Sequence, residues 1–181
     1  KRITRFLSTL SKICVKEGII SEPFSSERLT ETSKEYFSFI WQLYYEMQMP
    51  MLLGFKKVFG DLESFHICGI CLINHALNSK RNDNSEMSKE FYLEKYFFSD
   101  QKKDVGVNTM SISDITGIPR ATVIRKLNRL LKEKFLKIDE KKHYSSTGFH
   151  AKKILSVQKN TLDNLSKFTA RIYNLSLMKD N

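Results

Sequence analysis

The residues best suited to metal or redox chemistry lie together in one apolar segment. Cys68, Cys71 and His75 are three and four residues apart, a spacing that puts them on one face of a helix. Such thiolates and imidazole could bind zinc, or the thiols could respond to oxidants. A tetrahedral site normally draws on two segments, and cysteine is common in tight helix packing. We therefore favour buried structural cysteines over the alternative of a metal or redox site, and we expect no cofactor.

No other group of residues forms a motif for catalysis. The sequence contains no Gly-rich phosphate loop, no Gly-x-Ser-x-Gly elbow and no His-Glu-x-x-His pair. The four histidines form no recognisable triad, and no metal-ligand spacing with carboxylates. We therefore expect that the protein is not an enzyme.

A set of basic and polar residues lies on one predicted helix, at about residues 120–134. Six Lys or Arg stand against one Glu there, so the local net charge is 6 − 1 = +5. Helical spacing predicts that one face turns to the core: Val123, Ile124, Leu127, Leu130 and Leu131. The predicted DNA-facing residues are Arg120, Ala121, Thr122, Arg125, Lys126 and Arg129. Of these, Arg129 is expected on the DNA backbone and the others at base edges in the major groove.

The residues around this helix predict a helix-turn-helix with a wing. Gly117 marks a turn after a short helix that starts near Asn108 or Thr109, and Pro119 suits a helix-opening position. Two short strands are expected at residues 135–138 and 142–144, within a wing at about 135–145. Its lysines would contact phosphates and so position the protein rather than read sequence: Lys137, Lys141 and Lys142.

The run Thr-Gly-Ile-Pro-Arg-Ala-Thr-Val-Ile-Arg-Lys-Leu at 116–127 resembles the turn and recognition helix of bacterial winged-helix regulators. The MarR family is the first choice and the IclR family the second. Residues 130–138 resemble the exit of that helix into the first wing strand. The resemblance implies a sequence-specific regulator of transcription that binds double-stranded DNA as a homodimer, with interlocked terminal helices. A winged-helix module for protein–protein interaction, without DNA binding, is the alternative.

Composition limits which class of protein this is and in which compartment it is expected. The charge of 30 − 20 = +10 favours a polyanionic partner, although basicity alone also fits RNA or a membrane surface. Three prolines, seven glycines and long periodic segments predict a mainly α fold with a small β-hairpin. The sequence contains no run of 18 apolar residues, so we expect no membrane span. The first residues are too polar for a secretory signal. An odd number of cysteines fits a reducing compartment better than a disulfide framework, so we expect a cytoplasmic protein.

Hydrophobic periodicity divides the chain into three predicted regions. Residues 1–60 form a helical region, 61–147 the winged helix-turn-helix, and 148–181 a C-terminal helix. The resemblance implies that the first and last of these regions serve in dimerisation. Helices are predicted over 1–17, 33–59 with a break or kink at Pro50, and 61–80. A helix at 88–100 is a candidate for the first helix of the DNA-binding region, and one long helix is predicted from about 148 to 178.

Residues 33–59 are the most aromatic part of the chain. Core and dimer interface are the favoured interpretation of this segment. The alternative is a pocket for a small apolar or aromatic effector, because aromatic and methionine side chains adapt to irregular ligands. Its candidate residues are Tyr36, Trp41, Tyr44 and Tyr45.

Overall fold

A computed structural model describes residues 2–81 and 106–178 of the chain, with side chains for 4–78 and 106–178. In these ranges the protein is mainly helical and carries one antiparallel two-stranded hairpin, which confirms the predicted fold class at that level. The predicted helix at 88–100 lies outside the described residues. The elements are α1 (Arg2–Lys16), α2 (Ser26–Glu35), α3 (Phe37–Phe59), α4 (Leu62–Arg81), α5 (Thr109–Thr116), α6 (Arg120–Lys132), β1 (Leu136–Ile138), β2 (Tyr144–Ser146) and α7 (Ala151–Met178).

The chain forms two compact units. The first contains Lys1–Leu53 and Val157–Asn181, and the second contains Gly54–Ser156. Both boundaries fall inside long helices, α3 and α7, whereas hydrophobic periodicity placed them at 60/61 and 147/148. A helix can continue while its packing partners change, so the end of a periodic segment does not mark the end of a unit. The roles given to the three predicted regions stay predictions.

The first unit has its own hydrophobic core. Its buried side chains come from α1, α2, α3, α7 and the loop after α1. On α1, Leu7 and Cys14 are buried, whereas Phe6 and Ile13, each one position earlier, are more than half exposed. One residue corresponds to about 100° of rotation around the helix, so these two side chains point away from the core. The buried set includes Leu7, Cys14, Ile20, Phe24, Leu29, Leu43, Phe168, Ile172 and Tyr173.

Helix α3 runs without interruption from Phe37 to Phe59, with Pro50 inside it. The predicted division of the helix at this proline is therefore wrong. Proline removes one backbone hydrogen bond and crowds the carbonyl four residues earlier. That carbonyl belongs to Glu46, which is exposed to solvent, so water can bond it.

The second unit is built on α4. This helix packs against α5, α6 and β2, and the hairpin continues from the end of α6. Phe59 and Phe135 pack with their ring centroids 4.9 Å apart and close the core at one end. The largest fully buried side chains among the described residues of the unit are Phe59, Ile67, Ile112, Leu127, Leu130 and Val123.

Among the described helices, none has both the length and the apolar character that crossing a bilayer would require.

Candidate nucleic-acid interface

The turn between α5 and α6 is fixed by its own hydrogen bonds. Asn108 caps α5 by accepting a 2.9 Å bond from the Ser111 amide. Gly117 ends the helix at φ 70°, in the left-handed region that glycine adopts most readily, and its N–H donates to the Ser113 carbonyl at 2.8 Å. The Ser113 hydroxyl donates to the Ile118 carbonyl at 2.7 Å. These bonds hold α6 at a defined angle to α5.

Helix α6 buries one face and exposes the other. Val123, Leu127 and Leu130 are completely buried. The exposed positions recur in adjacent pairs four residues apart, which makes a continuous outer face about three turns long. This outer face consists of Arg120, Ala121, Ile124, Arg125 and Asn128. Thr122, predicted at the base edges, is half-buried at its border.

Lys126 does not lie on the outer face, so its predicted place beside Arg125 at the base edges is wrong. The residue is 8% exposed, and its Nζ lies 2.8 Å from Asp61 Oδ2 and 3.1 Å from Glu63 Oε2. A long aliphatic stem allows lysine to lie along apolar residues and to bring its charge to a distant partner. Here the partners are carboxylates at the start of α4.

Arg129 is engaged in the same ion-pair cluster. Its guanidinium donates to the Phe59 carbonyl and, at 2.7 Å, to the Ser64 hydroxyl. It also lies 3.0 Å from Asp61 Oδ2. Both terminal nitrogens of Arg129 therefore already bond groups of the protein, which opposes its predicted contact with the DNA backbone. Together Lys126 and Arg129 fasten α6 to the start of α4.

Asp61 is the centre of this ion-pair cluster. Burial raises the pKa of its carboxyl, but hydrogen bonds from Lys126 and Ser64 outweigh that effect and lower the pKa to about 2. Its second oxygen caps α4 by accepting the Ser64 amide at 2.8 Å. Gly60, with φ 80°, brings the backbone so close that an added Cβ would lie 3.2 Å from Arg129 Nη1. The cluster therefore depends on backbone geometry as well as on charge.

Ile124 and Asn128 are surface residues that the sequence analysis missed. Ile124 was assigned to the core because it is apolar, yet it is 43% exposed. Asn128 is exposed one turn further along. A series that started at Arg120 and advanced by four residues would have found both of them.

The hairpin presents lysines at its tip. β1 pairs antiparallel with β2, from Leu136 opposite Ser146 to Ile138 opposite Tyr144. Asp139 fixes the connection, because its Oδ1 accepts the His143 amide at 2.8 Å, and this contact lowers the pKa of the Asp139 carboxyl. Lys141 and Lys142 are exposed at the tip, whereas Lys137, on β1, is half-buried and already has an interaction within the protein.

A third backbone segment joins the hairpin. Val107, just before α5, pairs with Tyr144 in an antiparallel bridge, with two N–H to O distances of 2.9 Å. The start of α5 is thereby tied to the same strand that follows the lysine tip. The helical pair and the hairpin form one continuous framework.

Of the four aromatic candidates for an effector pocket, three contact one another and the fourth packs against the core. Trp41 stacks on Phe37 and Tyr44, and Tyr45 meets it edge to face. Trp41 and Tyr45 are about half exposed, and Tyr36 packs against the core. A cavity of about 140 Å³ lies beside them, smaller than most ligand sites. Its lining contains none of the four candidates: Leu43, Glu46, Met47, Asn164, Lys167, Phe168 and Arg171. An effector stays a prediction.

Cys68, Cys71 and His75 are buried on α4. Burial raises the pKa of the Cys71 thiol to about 12 and that of Cys68 well above its ordinary value. Metal binding and fast oxidation both require the thiolate, so this environment opposes both. In the part of the chain that the structure describes, no three His, Cys, Asp or Glu residues are grouped as metal ligands. The geometry favours packing as the role of these cysteines.

Comparison with known proteins gives no relative for this chain: no family model, no curated protein and no solved structure matches it.

Proposed function

We propose that the second unit binds double-stranded DNA as a winged helix-turn-helix and that the protein is a sequence-specific regulator of transcription. The observation that carries the proposal is the outer face of α6, on which Arg120 and Arg125 are exposed to solvent. The order of elements supports it: a strand segment at Val107, α5, a three-residue turn, α6 and a hairpin. A winged helix places its second helix in the major groove in this order.

The composition of the outer face suits base recognition. Arginine can donate two hydrogen bonds to the O6 and N7 atoms of guanine, which fits Arg120 and Arg125. Asparagine makes the equivalent pair with adenine, which fits Asn128. Ala121 and Ile124 offer apolar contact to a thymine methyl group. This set replaces the predicted base-contacting one: Thr122 is left out because it is half-buried, and Lys126 and Arg129 are removed from the DNA-facing residues.

The removed residues have a different role in this proposal. Lys126 and Arg129 bond Asp61, Glu63 and Ser64 of the neighbouring helix start, so they hold α6 against α4. A fixed recognition helix loses less conformational entropy when it enters the groove. These two residues would therefore affect DNA binding through the orientation of α6 and not by contact.

Lys141 and Lys142 complete the interface at the tip of the hairpin. Both are exposed, and the hydrogen bonds of Asp139 fix the connection that carries them. Phosphate contacts orient a protein on the duplex without reading its sequence. The hairpin lysines would therefore contribute affinity that falls as salt rises.

The proposal is tested by fluorescence anisotropy of the full chain with a labelled random duplex, over a series of salt concentrations. We expect affinity that falls steeply with salt. In the Arg120→Ala/Arg125→Ala variant the salt slope should be smaller, by about 0.9 for each DNA phosphate that the protein no longer neutralises. Lys152→Ala/Lys153→Ala is the matched control, because both lysines are exposed in the same unit but lie on α7. Equal weakening in the two variants would mean that charge alone, and not the α6 face, causes binding.

An interaction module is the second candidate, and the exposed side chains of α5 favour it. Ile115 is 62% exposed and borders an open groove of about 410 Å³ with Ile73 and Leu77 of α4. An apolar surface of this kind is typical of protein contacts and adds little to DNA binding. A folded chain that fails to bind duplex DNA even at low salt would support this candidate.

A further inference from the structure

Helix α3 exposes an uninterrupted apolar ridge in the first unit. Every fourth residue from Phe37 to Leu53 is aromatic or aliphatic, and each leaves about half of its surface uncovered. In chain order the exposed fractions are 64, 48, 46, 46 and 59%. The ridge residues are Phe37, Trp41, Tyr45, Met49 and Leu53. They extend over about 24 Å at 1.5 Å per residue.

This part of α3 also lacks charge. Charged residues make up 28% of the whole chain, yet Glu46 is the sole one from Phe37 to Leu53. Its carboxylate is already bonded to Arg171 of α7 and accepts a 3.0 Å bond from Gln42. Depletion of charge together with enrichment of Tyr, Trp, Phe and Met is the composition of the core of a protein–protein interface. We propose that this ridge is where a second copy of the chain docks, so that α3 packs on α3 in a homodimer.

The spacing of the ridge suits pairing with itself. Residues four apart form the ridges that interdigitate when two helices cross at about −50°, the commonest packing in globular proteins. Two identical ridges satisfy this geometry in a two-fold dimer, in which the same patch is used on both subunits. Tyr45 is the middle residue of the ridge, so it would lie nearest to the two-fold axis.

The exposed area of the ridge reaches the smallest area that a biological interface buries. A buried aromatic side chain covers roughly 150–250 Å², so five half-exposed side chains contribute on the order of 500 Å² per copy. Two copies give about 1,000 Å², the lower limit for a biological interface. Leu52 and Gln48 lie half-buried between the ridge residues and add to this area.

Other occupants fit less well. Each step of four residues rotates by about 40°, so the ridge turns through roughly 160° along the helix. A single helix, whether of a peptide or α3 of a second copy, covers the centre of the ridge and leaves both ends exposed. In a folded second copy the surfaces on either side of α3 can cover those ends. A lipid surface is disfavoured because helices that bind membranes carry Lys or Arg on the polar face, and residues 37–53 contain none. The dimer does not depend on DNA binding, which is assigned to the other unit.

The test is sedimentation equilibrium of the full chain, from about 1 to 100 μM, a range that spans the affinities of typical weak and moderate dimers. We expect a monomer–dimer equilibrium, and at least tenfold weaker dimerisation in Tyr45→Lys and in Met49→Lys. Phe39→Lys is the matched control, because Phe39 is an exposed aromatic on the same helix, 48% uncovered, but off the ridge. Far-ultraviolet circular dichroism of each variant checks that helix content is unchanged.

Two further measurements separate this dimer from other kinds of association. Trp41 is the only tryptophan of the chain, so dimerisation should shift the emission of the wild type to shorter wavelength as concentration rises. Ile13→Lys/Leu162→Lys introduces charge at exposed positions of α1 and α7, the terminal helices that sequence analysis assigned to dimerisation. A wild type that stays monomeric, a dimer that survives Tyr45→Lys, or equal weakening by Phe39→Lys or the terminal-helix variant would each overturn the proposal.

Discussion

Replacement of Asp61 should reveal how strongly the ion-pair cluster fastens α6 to α4. Asparagine caps a helix as well as aspartate does. The free energy of unfolding that Asp61→Asn loses therefore reports the charge of Asp61 and not its cap. A pKa lowered from 3.8 to about 2 corresponds to about 2 kcal/mol of stability at neutral pH. About 29% of the side chain is exposed and is screened by solvent. We therefore expect Asp61→Asn to lower the free energy of unfolding by about 1–2 kcal/mol.

The stability difference between the wild type and Asp61→Asn should depend on pH, and the direction of that dependence identifies the carboxylate as its cause. A carboxyl whose pKa is lowered on folding stabilises the protein above its unfolded pKa, and this contribution disappears as pH falls through the folded pKa. The wild type should therefore lose its advantage over Asp61→Asn between about pH 4 and pH 2, with roughly half of it gone near pH 3.

Urea unfolding of the two proteins from pH 2.5 to 7, followed by circular dichroism, measures the difference directly. Asp114→Asn is the matched control, because Asp114 is an exposed aspartate of the same unit. Asp61→Ala removes the cap as well and should cost about 1 kcal/mol more. An Asp61→Asn variant as stable as the wild type at pH 7, or a difference that does not shrink in acid, would refute the reasoning.

Three more predictions concern the turn, the buried thiols and the hairpin. Gly117→Ala should destabilise the protein by about 1 kcal/mol in thermal unfolding, because φ 70° strains any other residue even where space is open; no change would mean that the turn relaxes. The thiols of Cys68 and Cys71 should react with a thiol reagent at pH 8 only after unfolding, since burial raises both pKa values; rapid labelling of the native protein would contradict this. Lys141→Ala/Lys142→Ala should weaken binding to all duplex sequences alike, and weakening confined to one sequence would assign these lysines to base contacts instead.

The sequence alone determined most of the described elements of the second unit, although the second strand is at Tyr144–Ser146 and not at the predicted 142–144. Gly117 and Pro119 marked the turn, and the apolar positions Val123, Leu127 and Leu130 gave the buried face of α6. Such features are local: glycine and proline act on their own backbone, and helical periodicity is a property of consecutive residues. The hairpin and the long C-terminal helix were predicted for the same reason.

The tertiary structure decided which charges of α6 are left for a partner. Periodicity gives the angle of a side chain around its helix, but not which neighbour lies at that angle. The carboxylate that forms ion pairs with Lys126 and Arg129 belongs to Asp61, which is distant from them in the sequence. It lies close to them only because α4 begins beside α6. In the same way, α3 is apolar on several sides, and only the packing of the first unit leaves one of its ridges uncovered. Non-local contacts of this kind depend on how helices pack, and the order of residues within one helix does not contain that information.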